Sequence, residues 1–498
     1  MKILSAKQIR EADAYTIANE PIASIELMER ASQAFTEIFS RYISPRSAVK
    51  AFCGTGNNGG DGLAISRLLH LKGYTVTAYT VITGDQASPD FQVNLGKLNK
   101  IISVSEIRNK NDIPAISKND IVIDALFGSG LSRPVTGLFA DVIRAINNSG
   151  AKTVAVDIAS GLRADQPSEG DCIIQPELTI SFQFPKLAFL IPENEPYTGK
   201  WEIADIGIDR NFIENIKCTD IMVSSVYAQT HLKRRKKFVH KGDAGKVLII
   251  SGSYGKMGAA VLSAKACIRS GTGLLTMHIP ECGYEIMQTS VPEAMVSVDS
   301  GKSLIAGYPG LEGYNAIGIG PGIGTHDKTV NMLGKLLENS LAPIVFDADA
   351  LNILSRNSFL LDKLPPQSIF TPHHREFERM AGPCTNHFER LQKQRDLSSR
   401  LNIIIVLKGA NTSISLPDGT IFFNNTGNPG MATGGAGDVL TGIITALLGQ
   451  KYSPSEAAIL AVYLHGLAGD IALETRGYEG MIASDIIESL PEAFKMAR

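Results

Sequence analysis

The sequence predicts an α/β protein built from two layered α/β/α domains. Its 498 residues exceed what one ordinary hydrophobic core organises, so two domains are expected. In each half of the chain, short apolar runs alternate with segments of helical periodicity, which is the pattern of a parallel sheet covered by helices. Glycine-rich polar loops follow several of these runs, at the sheet edge where ligands bind in such folds.

The composition argues against several classes of protein. A net charge of -2 does not suit a protein that binds nucleic acid by neutralising phosphates. The six cysteines are scattered without a C-x-x-C pair, which is typical of structural thiols in a reducing compartment. The amino terminus lacks a long apolar core, and no later run approaches the roughly 18 apolar residues of a membrane span. We therefore expect a cytoplasmic protein with neither a nucleic-acid nor a membrane partner.

The first half of the chain opens with a helix and then alternates strands and helices. Apolar residues at helical spacing predict an amphipathic helix over 24–39. The elements expected after it are a helix over 61–71 and strands over 48–53, 75–82, 121–125 and 153–158. Strands connected in this way form a parallel sheet.

Three polar, glycine-containing loops come directly after three of these strands. They read G-T-G-N-N-G-G-D-G over 54–62, D-A-L-F-G-S-G-L-S-R-P-V over 124–135 and D-I-A-S-G-L over 157–162. The first lacks the G-x-G-x-x-G spacing of a dinucleotide site and is weak evidence by itself. Three such loops at strand ends favour a ligand site over simple turns.

The oxygen-bearing side chains in these loops suit a hard cation. Asn58, Asp124 and Ser160 offer amide, carboxylate and hydroxyl oxygens, the ligands that such cations prefer. Asp157, at a strand end, is a candidate proton-transfer group; its alternative role is to cap or hold the loop.

A stretch over 212–238 joins the two halves and carries little strand or helix signal. It includes the basic run H-L-K-R-R-K-K over 231–237. Basic runs of this kind also occur in nucleic-acid and targeting segments. In a nearly neutral chain, between two glycine-rich halves, a solvated linker is favoured.

The second half restarts the alternation, again with polar loops after the strands. Strands are expected over 246–250, 274–279, 316–319, 344–346, 369–371 and 403–407, with helices over 260–269 and 350–355. The loops after them contain G-S-Y-G-K-M-G, G-P-G-I-G, D-A-D-A-L-N, P-H-H-R-E and K-G-A-N-T. They predict a second α/β layered domain with a cleft at one sheet edge.

The stretch 428–442, N-P-G-M-A-T-G-G-A-G-D-V-L-T-G, precedes a helical run over 439–448. Its glycines and the unpaired N–H groups of a helix start suit an anion such as a phosphate. Asp438, at that junction, then suits a catalytic base. By itself the stretch is equally compatible with a glycine-rich turn and an N-capping aspartate.

Other loops offer further candidates. Lys408 and Thr412 suit nucleotide phosphates, because ammonium and hydroxyl groups both reach anions. His373 either orients a polar substrate or is a structural histidine. Asp347 and Asp349 either reach a metal with bound phosphates or cap the following helix.

The three loops of the first half resemble those of the epimerase domain of the NAD(P)HX repair proteins, over about residues 1–220. The resemblance implies a Rossmann-like fold that epimerises hydrated NADH or NADPH at C6, with K+ bound by Asn58, Asp124 and Ser160. The implied substrate-binding residues are Asn57, Asn58, Gly59, Gly60, Asp61, Gly128, Ser129, Gly130, Leu131, Ser132, Arg133, Pro134 and Asp157. Ala159 stands where members usually have proline, a departure that concerns the rigidity of this loop.

The second half resembles the ribokinase-like superfamily, and more closely its NAD(P)H-hydrate dehydratase domain, over 240–498. The matching motifs include K-G-D-A-G-K-V-L-I-I-S-G-S and G-N-P-G-M-A-T-G-G-A-G-D-V-L-T-G. The resemblance implies that the S-hydrate contacts Ala259, Gly324, His373 and Asp438. It implies that ADP, with Mg2+, contacts Lys408, Gly409, Ala410, Asn411, Thr412 and Gly437. Members often have H-P-G-E where this chain has His373, His374, Arg375 and Glu376.

Together the two halves are identified with the bifunctional repair family, with 221–239 as the linker. The implied activity epimerises R- and S-NAD(P)HX and dehydrates the S form, while ADP gives AMP and phosphate; Asp157 and Asp438 are the catalytic residues. We expect small-molecule substrates, NADHX or NADPHX and ADP, and a homo-oligomer. Two alternatives are a ribokinase-like kinase for a small alcohol and a non-enzymatic binding module.

Overall fold

The computed structural model describes residues 1–84, 86–168, 170 and 172–498. The chain forms two compact units. One contains Lys2–Cys218 with Asn386–Phe388, and the other contains Met1, Thr219–Thr385 and Glu389–Arg498. We call them the N-terminal and C-terminal units.

The N-terminal unit contains a seven-stranded parallel sheet in the order β3-β2-β1-β4-β5-β6-β7. Its strands are β1 Ala48–Cys53, β2 Thr75–Val81, β3 Val104–Ile107, β4 Ile121–Ala125, β5 Lys152–Val156, β6 Leu178–Phe182 and β7 Lys200–Ala204. Its helices are α1 Ala6–Asn19, α2 Ser24–Tyr42, α3 Asn57–Leu71, α4 Pro89–Asn99, α5 Gly137–Asn148 and α6 Arg210–Asn215. The strand order reverses between β1 and β4, which makes a Rossmann-like switch point there.

Each face of this sheet is covered by helices. Phe35 of α2, Leu63 of α3 and Leu98 of α4 belong to one buried core, and Val142 and Ile146 of α5 belong to the other. Side chains on both faces are thus removed from water, which explains the continuous apolar runs of the strands. The predicted α/β/α layering is confirmed.

The switch point brings the loops after β1 and β4 together. Gly54 donates its N–H to the Ala125 carbonyl at 3.0 Å, directly after the two strands. A Cβ atom at Gly54 would lie 2.1 Å from the Leu126 carbonyl oxygen. Only glycine permits this approach, so the first residue of the polar loop fixes the distance between the two strand ends.

The C-terminal unit contains a ten-stranded sheet in the order β11-β10-β9-β12-β13-β14-β15-β16-β17-β8, antiparallel only where β16 pairs with its two neighbours. Its strands are β8 Asp220–Met222, β9 Lys246–Ile250, β10 Leu274–Ile279, β11 Met295–Val298, β12 Ala316–Ile319, β13 Ile344–Phe346, β14 Ile369–Phe370, β15 Ile404–Leu407, β16 Thr412–Ser415 and β17 Ile421–Asn424. Its helices are α7 Ser225–His231, α8 Met257–Arg269, α9 Tyr284–Ser290, α10 Asp327–Asn339, α11 Ala348–Arg356, α12 His374–Ala381, α13 His387–Leu401, α14 Ala436–Gly449, α15 Pro454–Gly480 and α16 Ala483–Met496.

Two helix layers also cover this sheet. Helices α8, α14, α15 and α16 contribute to one buried core, and α10 to α13 contribute to the other. Helix α15 is long and apolar enough to cross a membrane by length and composition, but 67% of its apolar window is buried inside the protein. It is therefore a core helix.

The stretch over 212–238 contains more structure than its sequence pattern indicates. Strand β8 pairs in parallel with β17, and α7 follows it directly. Beyond α7, the Lys233 ammonium donates to the Lys451 carbonyl at 2.6 Å and lies 4.3 Å from the centre of the Tyr452 ring. A strand of three residues is too short to show a period, and tertiary contacts decide its conformation.

Candidate active sites

A cavity of about 790 Å3 lies beyond the carboxyl ends of β1, β4 and β5 in the N-terminal unit. Many of the predicted substrate-binding residues line it: Asn57, Asn58, Asp61, Gly128, Ser129, Gly130, Leu131, Ser132, Arg133 and Asp157. Gly59, Gly60 and Pro134 are not among the described lining residues, and the two glycines are buried in the first turn of α3. The three glycine-containing loops therefore meet at one cavity.

Asp124 and Ser160, two of the three predicted potassium ligands, are hydrogen-bonded to each other, and the third, Asn58, lines the cavity. The fully buried Asp124 carboxylate accepts hydrogen bonds from the Ser160 hydroxyl at 2.6 Å and the Ser160 N–H at 2.7 Å. Burial raises the pKa of Asp124 to about 6, although the bonds from Ser160 lower it. The buried amide nitrogen of Asn58 has no hydrogen-bond partner among the residues that the structure describes.

Asp157 is paired with a buried ammonium group. Its Oδ1 atom lies 2.6 Å from Nζ of Lys186, a side chain with no exposed surface, and accepts the Phe182 N–H at 3.1 Å. Asp157 itself has a φ of 66°, a conformation that non-glycine residues adopt rarely and mostly where the surroundings impose it. The ammonium also donates to the Ser181 hydroxyl at 2.9 Å and to the Phe184 carbonyl at 3.2 Å.

Two further carboxyl groups line the same cavity. Burial raises the pKa of Asp61 well above its ordinary value, and the negative charges of Asp157, Asp13 and Asp90 raise it further. Burial, and then the negative charge of Asp157, raise the pKa of Asp13 to about 6, while Lys186 lowers it. Asp13 and Asp61 have no ion pair among the described residues, in contrast to Asp157.

In the C-terminal unit, the polar loops converge near the start of α14. Gly435 is the N-cap of this helix and has a φ of 92°, in the left-handed region that favours glycine. No side chain caps the helix; the Ala436 N–H donates to the Thr433 carbonyl at 3.4 Å, and the N–H groups of Gly437 and Asp438 follow in the same first turn. Asp438 is the third residue of the helix, which removes the N-capping alternative for this aspartate.

The surroundings of Asp438 raise its pKa and so favour its protonated form. Burial first, then the negative charge of Asp347, raise the pKa of Asp438 to about 7; Lys408 lowers it, and Asp349 raises it. A carboxyl group with a pKa near neutrality is well matched to proton transfer. The predicted base therefore has suitable electrostatics.

Lys408 lies at the centre of a small network next to α14. Its Nζ atom lies 2.9 Å from Oδ1 of Asp347, whose other oxygen accepts the Thr441 hydroxyl at 2.8 Å. A Cβ atom at Gly437 would lie 3.3 Å from the Lys408 ammonium. Asp347 precedes α11 but makes no side-chain cap bond there, so its carboxylate belongs to this network and not to a helix cap.

Asp349 contacts the segments that carry two further predicted substrate-binding residues, Gly324 and Ala259. Its carboxylate accepts the Gly324 N–H at 2.9 Å and lies 3.1 Å from the Lys256 ammonium. Lys256 precedes α8, whose third residue is Ala259. Gly324 and Ala259, predicted from separate motifs, are thereby brought to one side of the Asp438 site.

His373 and the 408–412 turn border the site on its other side. His373 forms an isolated parallel bridge with Lys408. Its Nδ1 atom accepts the N–H groups of Arg375 and Glu376, so the imidazole caps α12. The turn Lys408, Gly409, Ala410, Asn411 and Thr412 links β15 to β16, and the Thr412 hydroxyl closes it through Gly409.

Sequence reasoning missed several residues of these sites, chiefly Asp13, Lys186 and Lys256. Buried lysines are rare, and nothing near Lys186 in the sequence indicates that it reaches Asp157, 29 residues earlier. A detectable signal was the position of Lys186 after a strand end, where the other polar candidates also lie.

Comparisons with known proteins identify relatives of both halves of the chain. The family model described as NAD(P)H-hydrate dehydratase matches residues 247–492, and the one described as YjeF-related protein N-terminus matches 24–188. The bifunctional NAD(P)H-hydrate repair enzyme Nnr of Moorella thermoacetica is 36% identical, over 99% of this chain and 96% of the relative. Its counterpart in Escherichia coli is 34% identical, over 93% and 88%.

Two solved structures match the C-terminal part of the chain. An ADP/ATP-dependent NAD(P)H-hydrate dehydratase from Bacillus subtilis, co-crystallised with ATP and Mg2+, has a TM-score of 0.51 and 30% identity, covering 56% of this chain and 99% of its own. A ribokinase-like superfamily protein from Enterococcus faecalis has a TM-score of 0.50 and 29% identity, covering 56% and 96%. The ribokinase-like prediction is confirmed, and the chain belongs to the family of bifunctional NAD(P)H-hydrate repair enzymes.

Proposed function

We propose that this enzyme repairs hydrated nicotinamide cofactors in two steps, one in each unit. The N-terminal unit interconverts R- and S-NAD(P)HX, and the C-terminal unit dehydrates the S epimer to NADH or NADPH. The observation that carries the proposal is a carboxylate at the centre of each strand-end site, Asp157 in one and Asp438 in the other. The epimerase domain is assigned to 1–220 and the dehydratase domain to 240–498; the linker expected over 221–239 contains α7 and most of β8, which belong to the C-terminal unit.

Epimerisation requires that the bond between C6 and its hydroxyl oxygen break and form again on the other face of the ring. Asp157 is the proton-transfer group for this reaction, and the loops over 57–61 and 128–134 bind the substrate. Support comes from the cavity that these loops share, whose volume of about 790 Å3 falls in the range of small-molecule sites.

Asn58, Asp124 and Ser160 are proposed to bind K+. Two features support this: a buried carboxylate without a cationic partner among the described residues, and the unpartnered amide of Asn58. Rotating that amide by half a turn exchanges its nitrogen for its oxygen, the atom that a cation needs. A bound potassium ion supplies positive charge that draws the loops and an anionic substrate together.

In the dehydratase domain, the phosphates of the nucleotide bind at the start of α14. The N–H groups of Gly437 and Asp438 and the Lys408 ammonium are the donors, while 408–412 holds the rest of the nucleotide. The S-hydrate contacts Ala259, Gly324, His373 and Asp438. The position of Gly437, next to Lys408, supports a shared phosphate site.

Asp438 removes the proton from the C6 hydroxyl, and the hydroxyl oxygen attacks the terminal phosphate of the nucleotide. With ADP, the bond between the two phosphates breaks and AMP leaves. The C6–O bond of the phosphate ester then breaks, phosphate departs, a proton leaves C5, and the C5=C6 double bond returns. Phosphorylation converts hydroxide, a poor leaving group, into phosphate, and the helix N–H groups stabilise charge on the transferring group.

Mg2+ is proposed to enter with the nucleotide. It is usually held by one or two carboxylates together with substrate phosphates, and Asp347 and Asp349 are the carboxylates that act electrostatically on Asp438. The bound ion neutralises charge on the phosphates. The relative co-crystallised with ATP and Mg2+ supports this assignment.

The experiment that tests the function supplies an equal mixture of both hydrates with ADP or with ATP. We expect complete recovery of the reduced cofactor, with one AMP and one phosphate formed per hydrate when ADP is the donor. A stable phosphorylated product would instead favour a kinase, and binding without turnover would favour a non-enzymatic module. A cytoplasmic location and a homo-oligomer remain part of the proposal, to be checked by fractionation and by light scattering.

A further inference from the structure

The epimerase cavity contains three carboxyl groups whose partners differ. Asp157 is bound to the buried Lys186 ammonium at 2.6 Å. Asp13, on α1, and Asp61, on α3, line the same cavity without an ion pair among the described residues. Among the described residues, Asp157 alone of these three acids forms an ion pair.

We propose that two of these carboxyl groups have opposite roles in epimerisation: Asp157, paired with Lys186, accepts a proton, and Asp61 donates one. Lys186 is a positioning residue, because it acts through Asp157 and lies behind it with no exposed surface. This inference rests on the proposed epimerase function and assigns the acid and the base within that site.

The environment of Lys186 supports a fixed role. Its ammonium makes contacts with the Asp157 carboxylate, the Ser181 hydroxyl and the carbonyl groups of Phe182 and Phe184. These acceptors hold the ammonium in place behind the carboxylate, and the hydrogen bond of 2.6 Å fixes the orientation of the Asp157 carboxylate in turn. Asp157 therefore has a fixed position at the cavity.

The environment of Asp61 favours the opposite state. Burial first, and then the negative charges of Asp157, Asp13 and Asp90, raise the pKa of Asp61 well above its ordinary value. The cations that line the cavity are Arg10 and Arg133, and no described ion pair joins either to Asp61. A carboxyl group in such surroundings is suited to donate a proton, whereas Asp157 has a cation at 2.6 Å.

Epimerisation proceeds by loss of water from C6 and its addition to the opposite face. Asp61 protonates the C6 hydroxyl, the C6–O bond breaks, water leaves, and the N1 lone pair forms an N1=C6 double bond. Water then adds to the opposite face of C6 and gives its extra proton to Asp157. Water in the cavity returns that proton from Asp157 to Asp61 before the next cycle, so the reaction consumes nothing.

The test measures R-to-S conversion against pH in the full-length protein. For wild type we expect a bell-shaped profile of kcat/KM, because one carboxyl group must be charged and the other neutral. Asp61→Asn should lower kcat/KM by about 100-fold and abolish the alkaline limb.

Asp13→Asn should move the alkaline limb to lower pH, because the substitution removes one of the negative charges that raise the pKa of Asp61. Asp141→Asn, at a half-buried position of α5 that is not among the described lining residues of the cavity, is the matched control and should leave the profile unchanged.

Lys186 is tested through the acid limb of the same profile. Lys186→Met should move this limb to higher pH by about one unit or more, while Lys186→Arg, which keeps the charge, should leave it near the wild-type position. A purely structural lysine would change the rate without moving the limb. Trp201, the single tryptophan and part of β7, reports by its fluorescence whether each variant folds in this unit.

Two results would overturn the assignment: an alkaline limb that survives in Asp61→Asn, or an acid limb that stays in place in a folded Lys186→Met protein. If Lys186→Met does not fold, the Asp61 and Asp13 profiles decide the question. Asp157→Asn separates this inference from the proposed function. If Asp157→Asn still epimerises at the wild-type rate, the proposed site is wrong. If it is inactive while Asp61→Asn is active, only the present assignment fails.

Discussion

The two units place a carboxylate at the same kind of position, beyond the ends of parallel strands, but surround it with different charges. In the N-terminal unit, Asp157 has its own buried cation, Lys186, at 2.6 Å. In the C-terminal unit, the nearby cation Lys408 is bound by Asp347 at 2.9 Å, and the pKa of Asp438 is raised to about 7, first by burial. The first site has an internal counter-charge, whereas the second has the start of α14, which no side chain caps and whose N–H groups suit an anion.

This difference follows from the proposed reactions. Epimerisation needs no second substrate, so its base must be ready in the empty site. Phosphoryl transfer brings in a polyanion, and a site that already neutralised all its positive groups would bind nucleotide weakly. The same sheet edge thus supports two chemistries through the placement of one or two charged side chains.

Asp438→Asn should have the largest effect. An amide cannot accept the hydroxyl proton, so we expect the dehydration rate of the S-hydrate to fall by about 10²- to 10⁴-fold. Conversion of R to S by the same protein should stay within about twofold of wild type, because that site lies in the other unit. Dehydration at the wild-type rate would remove Asp438 from the role of base.

Substitution of the potassium site should affect only the epimerase. Asp124→Asn removes the buried carboxylate, and we expect the K+ concentration for half-maximal R-to-S conversion to rise about 10- to 100-fold. The dehydration of pure S-hydrate by the same preparation is the control. Epimerase activity independent of K+ in the wild type would refute the assignment of Asn58, Asp124 and Ser160.

Gly437→Ala should weaken nucleotide binding. The added methyl group would lie 3.3 Å from the Lys408 ammonium, in space that we assign to a phosphate. We expect the KM for ADP to rise about tenfold, equivalent to about 1.4 kcal/mol. Gly334→Ala in α10, where the new methyl group meets only Leu360 at 3.7 Å, is the matched control. Equal KM values for ADP in Gly437→Ala and Gly334→Ala would show that the phosphates bind elsewhere.

The pH dependence of dehydration should reveal the raised pKa of Asp438. A base must be ionised to act, and ionisation increases as pH rises through about 7. At pH 6, kcat/KM should therefore be about tenfold lower than at pH 8. Because Lys408 lowers this pKa, Lys408→Met should move the limb to higher pH. A flat profile between pH 5 and pH 8 would contradict the account.

The last prediction concerns the stability of the fold, not the rate of a reaction. Since the folded-state pKa of Asp438 is raised from 3.8 to about 7, folding favours its protonated form, and that stability is lost as pH rises through about 7. Removing the charge at pH 8 in Asp438→Asn should recover at most about 4 kcal/mol, from about 3 pKa units at about 1.4 kcal/mol each. We expect the Tm to rise by a few degrees at pH 8 and to stay unchanged at pH 4. A lower Tm at pH 8 would show that the ionised carboxylate stabilises the fold.

The sequence predicted the regular framework of the fold well. The bounds of β1, β4, β9, β10, β12 and β13 agree with the expected strands to the residue, because buried parallel strands are short, continuous apolar runs. Helix α3 begins at Asn57, four residues before the expected start at 61. Gly59 and Gly60 have poor helix propensity, but they occur in the helix because close packing against Gly54 and Met28 leaves no room for side chains.

The polar loops of both sites were also predictable, but their partners were not. Strand ends and glycines identified Asp157 and Asp438 as candidates from local patterns. Lys186 and Asp13 join the first site through tertiary contacts with distant segments; the position of Lys186 after β6 marks it as a polar candidate but does not identify Asp157 as its partner. Likewise, only the structure shows that Asp347 binds Lys408 instead of capping α11.

The central claim is that each unit performs one reaction with its own carboxylate, and a complementation assay tests it most directly. Pure R-hydrate and ADP are given to Asp157→Asn, to Asp438→Asn and to an equal mixture of the two, with spontaneous epimerisation measured without protein. We predict background recovery of the reduced cofactor with either variant alone and recovery near the wild-type rate with the mixture. Recovery at the wild-type rate with either variant alone, or background recovery with the mixture, would contradict the claim.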